Sequence, residues 1–367
     1  MRLLHHLHDF RTLPFFVAFS MALGIGIGKL FGISDYELTP PIDAIKDIFR
    51  GSYDFNVGNS LALGVVVGLF LMIYPAMTNV RVDDLGKAFR SPKHLLIVAV
   101  ANYAIAPFFM FALAEVFLRG DDDLHTGLVL YGIAPRIAMV IVFTFLADGN
   151  TPLALVLVAF NSIAQMIVLP LYARVLIGNV DFDVLVVGES VVLYLGLPLV
   201  LGFLTRSIGV QRVGNAGFER IRAVLDTLAI VGLLFTLVVM FALKGDLIVG
   251  DPMIVLRMAV PMSIFFFVMF NAVYLVSWKL GLNYRDSVAV AFNSTGRDFE
   301  IAIAIAITAF TPAVAVATIV GPLIEVPIML TLVWIAVRTE QRLFGVRAAA
   351  AEAVPVPSGS PGGAAGA

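Results

Sequence analysis

The chain has 367 residues, of which 60% are hydrophobic and 14% charged, with a net charge of −2 and a mean hydropathy of +0.97. Soluble domains carry about a quarter charged residues, so the solvent for most of this surface is lipid and not water. Cysteine is absent, which excludes disulfides, thiolate metal sites and cysteine catalysis, and the near-neutral charge, scattered between apolar runs, gives no basis for a nucleic-acid partner.

In chain order, the N-terminal "MRLLHHLHDFRT" carries Arg2, Arg11 and three histidines. The apolar run behind it is interrupted by Gly24, Gly26 and Gly28 and lacks an A-x-A cleavage signal, which predicts a retained first span. Its "GIGIGK" superficially suggests a phosphate loop. Gly24, Gly28 and Gly32 are spaced by four inside a span, and that spacing predicts close helix packing. In the loop that follows, Ile42, Ile45, Ile48 and Phe49 share one helical face and predict a short interfacial helix.

A bilayer crossing needs about twenty apolar residues. Ten runs qualify, near 13–32, 57–79, 94–118, 125–147, 152–177, 186–205, 223–244, 254–278, 287–310 and 313–337. The predicted class is an all-α polytopic membrane protein with a single transmembrane domain over 1–345 and a disordered Pro/Gly-rich tail over 346–367. With the N-terminus cytoplasmic, inside segments hold 15 Lys and Arg against 7 outside, which predicts that both termini are cytoplasmic.

Five spans in each half predict two inverted repeats, about 13–178 and 186–338. Val67-Gly68-Leu69-Phe70 matches Val231-Gly232-Leu233-Leu234, and "RIAMVIV" from Arg136 matches "EIAIAIA" from Glu300. In that register Arg136 and Glu300 are equivalent positions of opposite charge. Gln165 can be matched with Glu325. The string "VAFNS" occurs twice, around Asn161 and Asn293, on spans that are not repeat partners; it reads as coincidence.

No H-E-x-x-H, P-loop or G-x-S-x-G is present, so the chain is not expected to be an enzyme or to hold a cofactor or metal. The chemistry concentrates in spans four and nine. Arg136, Arg297, Asp298 and Glu300 lie within apolar runs, where each ionisable group costs roughly 2.5–3.5 kcal/mol. They form either an ion-pair staple or a binding site rearranged by substrate and coupling ion. Helix breaks beside them, at Pro135 and Gly296, favour the site, because unwound segments offer dipole ends and free carbonyls. Asn293 adds a substrate-binding candidate. Asn161, Gln165 and Glu325, with Glu300, are candidates for H⁺ or Na⁺ coupling. An ion pair of Arg136 with Glu300 or Asp298 is expected.

"LFLMIYPAMTNVRVDDLGKAF", "RIAMVIVF", "LVAFNSIAQ", "YLGLPLVLGFLTR", "GLLFTLVVMFALKGD", "FEIAIAIAI" and "GPLIEVPIMLTLVWIA" follow one another from about residue 57 to 345. Together they resemble the arsenite efflux permeases of the bile acid/arsenite/riboflavin transporter superfamily. The resemblance implies spans four and nine that are discontinuous and cross near the site. It also implies a plasma-membrane secondary carrier exporting arsenite or antimonite, driven by proton exchange or membrane potential. Glu300 matches the family's span-nine glutamate. The family's span-four cysteine is replaced by Arg136, and Arg297-Asp298 stand where paired asparagines are usual. A guanidinium is no soft ligand for trivalent arsenic but suits oxyanions. This departure keeps open an H⁺- or Na⁺-coupled anion transporter and, more remotely, a channel or receptor on the same fold. The oligomeric state is left open.

Overall fold

The computed structural model describes residues 13–33, 46–48, 50, 52, 57–78, 92–135, 139–178, 184–250, 252–310 and 312–345. They are helical almost throughout. In order the helices are α1 (Leu13–Phe31), α2 (Val57–Met77), α3 (Pro92–Phe117), α4 (Asp122–Gly132), α5 (Met139–Leu146), α6 (Thr151–Leu176), α7 (Val184–Val191), α8 (Leu197–Gly250), α9 (Pro252–Lys279), α10 (Tyr284–Thr295), α11 (Phe299–Ala309), α12 (Pro312–Ile319) and α13 (Gly321–Glu340). Among the described residues, five helical stretches are long and apolar enough to cross a membrane unaided, and shorter apolar helices accompany them.

One of the five, Leu185–Leu243, runs for 59 residues and covers two predicted spans. A straight helix of that length would measure about 90 Å, three times the hydrocarbon core. The chain turns back at Gly214, whose φ of 72° breaks the helical path and is costly for any residue with a Cβ. As a result the Arg206 guanidinium lies 5.3 Å from the Phe218 ring centroid, across twelve residues that a straight helix would stretch over about 18 Å.

Past this turn, the second limb of α8 packs against α1 and α2 along a glycine seam. A methyl group at Gly24 would lie 2.5 Å from the Val238 carbonyl oxygen, and one at Gly28 would overlap the Ala242 carbonyl. Gly26, between them, faces open space. The predicted packing role of the "GIGIGK" glycines therefore holds for Gly24 and Gly28. A methyl on Gly232 of α8 would lie 3.0 Å from the carbonyl oxygen of Gly68 on α2, so the two glycines matched in the sequence sit against each other.

Two π-helical turns, Val100–Ile105 and Val192–Gly196, each precede a proline, Pro107 and Pro198. Proline has no N–H to give the carbonyl four residues back. For Pro107 that carbonyl is Tyr103 O, and the Tyr172 hydroxyl donates to it instead. The wide turn carries Asn102 and Tyr103 toward the centre of the molecule.

Spans four and nine are both interrupted. Span four ends its first half at Gly132 and resumes as α5; span nine ends α10 at Thr295 and resumes at Phe299. Half-helices of 11 and 12 residues reach about 16–18 Å, roughly halfway through the hydrocarbon core. The two breaks pair as a short antiparallel bridge between Pro135 and Arg297, and Asp298 N donates to Ala134 O at 2.7 Å.

Among the described residues, contacts between span ends join segments that alternate crossing puts on one side. Lys46 pairs with Glu189 at 2.8 Å, and Arg257 with Asp121 at 2.9 Å. At the other side Asn150 N donates to Arg285 O at 2.8 Å, and Arg206 Nη1 donates to Thr78 O at 3.1 Å. The expected interfacial helix falls largely outside the described residues, though 46–48 are helical. The expected tail lies outside them altogether.

Candidate functional site

The sequence "GRDFE" supplies the break in span nine, and its residues match the helix ends they face. A helix C-terminus leaves unsatisfied carbonyls and partial negative charge; an N-terminus leaves N–H groups and partial positive charge. Arg297 follows the C-terminus of α10. Asp298 is the N-cap of α11 and accepts from Ile301 N at 3.2 Å. Glu300 lies in the first turn of α11, buried at 9% exposure. Cation and carboxylates thus stand at the helix ends of opposite partial charge.

Arg297 is wholly buried. Its Nη2 donates to Ser294 O at 2.6 Å and to Asn102 Oδ1 at 2.7 Å, its Nη1 to Gly132 O at 3.2 Å and its Nε to Thr295 O at 3.3 Å. The Phe265 ring closes one face of the guanidinium, 5.2 Å from its carbon. The acceptors include the last residues of α4 and of α10, so one side chain caps two half-helices that approach from opposite sides. Gly296 has φ −61° and ψ 140°, a conformation open to any residue, so the break does not depend on glycine's freedom.

Asn102 is the hub beside it. While Oδ1 accepts from Arg297, Nδ2 donates to Asn293 O at 2.9 Å and to Asn161 Oδ1 at 3.3 Å. Both "VAFNS" strings therefore converge on one residue, and the coincidence read in the sequence is a shared position in space. Tyr103 Oη donates to Asn161 O at 3.3 Å. Asn293 Nδ2 turns back to Ala289 O at 2.8 Å.

Four buried polar side chains in this neighbourhood keep atoms without a partner among the described residues. They are Asn161 (Nδ2), Gln165 (Oε1 and Nε2), Asn293 (Oδ1) and Ser294 (Oγ). Each such group costs about 1–3 kcal/mol in a dry interior. Gln165 stands one turn beyond Asn161 on α6, and no bond between them is formed.

Glu325 is fully buried on α13 and accepts from Tyr131 Oη at 2.6 Å. Tyr131 immediately precedes Gly132, whose carbonyl Arg297 holds, so Glu325 is joined to the crossing through span four. Tyr131, Tyr103 and Phe265 are not among the residues that the sequence alone singles out. For the tyrosines the signal was a phenol in an otherwise apolar run, next to a break or an asparagine. Pro135 lies buried within the bridge. Arg136, and with it the expected pair to Glu300 or Asp298, lies outside the described residues.

Residues 66–251 match the model of the sodium bile acid symporter family. The chain is 34% identical to the arsenical-resistance protein Acr3 of Corynebacterium glutamicum, covering 91% of this chain and 90% of that one. It is also 34% identical to the Acr3 of Alkaliphilus metalliredigens, covering 90% and 92%. An uncharacterised transporter of Synechocystis is 33% identical, covering 90% and 88%. With the family's model matched over half the chain and two such relatives aligned nearly end to end, this multi-pass membrane protein belongs to the sodium bile acid symporter family, alongside the Acr3 arsenical-resistance proteins.

Proposed function

We propose that the chain is a secondary active carrier of the plasma membrane, with both termini cytoplasmic, that exports arsenite or antimonite by proton exchange or membrane potential. One observation carries this reading. Two half-helix C-termini meet over a buried cluster in which, among the described residues, Asn161, Gln165, Asn293 and Ser294 have polar atoms left for a ligand. A structural staple would satisfy those atoms; a transport site leaves them for its cargo and coupling ion. Arg297, expected among the substrate contacts too, already donates to four protein oxygens; in this reading Arg136, Asp298, Glu300 and Asn293 contact the substrate, and Glu300, Glu325, Gln165 and Asn161 handle H⁺ or Na⁺.

The two halves are inverted repeats in the same proposal. Gly232 follows Gly68 by 164 residues, and Asp298 follows Ala134 by the same interval. Each residue touches its own mate, as elements on a two-fold axis do. At that interval Glu325 answers to Asn161, and the sequence match of Glu325 with Gln165 gives way to it.

A second reading is favoured by Arg136, which stands where the permeases carry cysteine. A fixed guanidinium gains little from uncharged arsenous acid and much from an oxyanion or organic anion. Proteoliposomes loaded with arsenite, antimonite, arsenate or organic anions, under imposed proton or sodium gradients, separate the readings. Glu300→Gln is expected to fold and to abolish coupled flux; normal flux by this variant would remove Glu300 from the site. Arg136→Cys is expected to raise arsenite tolerance in a sensitive host. Full tolerance with the wild-type chain and no gain from the substitution would sink the anion reading.

A further inference from the structure

We propose that the Arg297 guanidinium is a tethered cation: it fills a monovalent-cation position at the crossing of spans four and nine and makes that position independent of dissolved ions. The inference extends the carrier reading above, but its test reads stability and so stands or falls separately.

The ligand set is the first ground. Among its contacts, Arg297 donates to four neutral oxygens, those of Ser294, Thr295 and Gly132 and Asn102 Oδ1. Carbonyls at the unwound ends of broken helices are the groups that coordinate a cation in carriers of this kind of architecture. Here they converge on a side chain from within the break itself.

Charge is the second ground. A helix C-terminus carries about −0.5 of an elementary charge. Two of them, α4 and α10, end at the guanidinium, so roughly one negative charge of dipole meets one positive charge. Without a cation the two C-termini would repel each other across the bridge they form.

Permanence is the third. Arginine does not deprotonate in proteins. Four of its N–H groups are engaged by oxygens and its face is covered by Phe265. Its burial is complete. A diffusible ion can leave such a cradle at each cycle, whereas Arg297 leaves only if the break itself unfolds. The position therefore serves to hold the crossing together through the cycle, and coupling falls to the carboxylates. The planar fork matters too: a lysine keeps the charge with three donors on one nitrogen and cannot span oxygens on both half-helices as Arg297 does.

The experiment measures thermal unfolding of the purified full-length chain in detergent, in sodium, lithium, potassium and choline chlorides at equal ionic strength. Any cation response of the wild-type chain reports the coupling carboxylates and sets the baseline. Arg297→Ala opens a cradle of four oxygens, and sodium or lithium is expected to raise its melting temperature over choline by roughly 5 °C more than in the wild-type chain, with a saturable dependence. Arg297→Lys is expected to match the wild-type baseline. An Arg297→Ala protein that folds and responds to no cation beyond that baseline overturns the proposal. If Arg297→Ala is recovered in none of the salts, Arg297→Lys decides: a wild-type response supports the tethered cation, and a sodium-dependent rise beyond it refutes it. Failure of every transport assay with these stability results intact would count against the carrier reading and leave this one standing.

Discussion

Gly68 meets Gly232 across two apolar helices, whereas Ala134 meets Asp298 across two broken ones. At the first contact the chain removes side chains until backbones touch, and the gain is dispersion between close surfaces. At the second it removes helix, exposes carbonyls and N–H groups, and answers them with Arg297, Asp298 and the Asn102 amide. At the glycine seam the helices run unbroken through the contact, and the open polar atom beside Gly68 is a hydroxyl, Thr236 Oγ1, in place of freed backbone groups. The crossing keeps polar atoms open at Asn161, Gln165, Asn293 and Ser294. Rigid packing and chemical readiness are thus divided between two regions of one membrane domain, each built from segments far apart in sequence.

Substitutions separate the two. The largest effect is expected at the seam. Gly28→Leu places a side chain into the Ala242 backbone, which no rotamer relieves. A cost of about 3 kcal/mol or more is expected, read as loss of monodisperse protein on size-exclusion chromatography. A variant that purifies and melts like wild type would show that the seam is slack. At the crossing, Tyr131→Phe removes the hydroxyl that donates to Glu325. It is expected to cost about 1–3 kcal/mol and to reduce coupled flux further than a stability loss of that size accounts for. Equal losses in stability and flux would make Tyr131 a packing residue.

The two regions also differ in how far the sequence foretold them. Hydropathy marked nearly every helix, because lipid admits only long apolar helices and each leaves its own run. The four-residue spacing of Gly24 and Gly28 marked the seam, since what they do depends on what they lack. Pro135 and the charges of "GRDFE" marked the break. What fills the break was not legible. Three of the four oxygens named for Arg297 belong to backbone carbonyls, which every residue has, and only the meeting of α4 with α10 selects Gly132. The hub Asn102 reaches the site through the π turn ahead of Pro107, which no hydropathy run displays. The sharp turn at Gly214 left no stronger mark than any other glycine among polar residues.

The smallest effect expected has the opposite sign and sits inside the same short motif. Gly26 lies two residues from Gly24 and two from Gly28, where a Cβ would meet the α8 backbone, yet a Cβ of its own would meet nothing within 4 Å. Gly26 is helical and exposed on the outer surface of α1. Gly26→Ala therefore adds no clash and removes backbone freedom from the unfolded chain. A gain of about 0.5–1 kcal/mol is expected, seen as a rise of a few degrees in melting temperature with flux unchanged. Gly24→Ala, two residues earlier, is expected to lower it. If the two substitutions shift stability in the same direction, the alternation along "GIGIGK" is not set by the α8 backbone, and the seam loses its physical explanation.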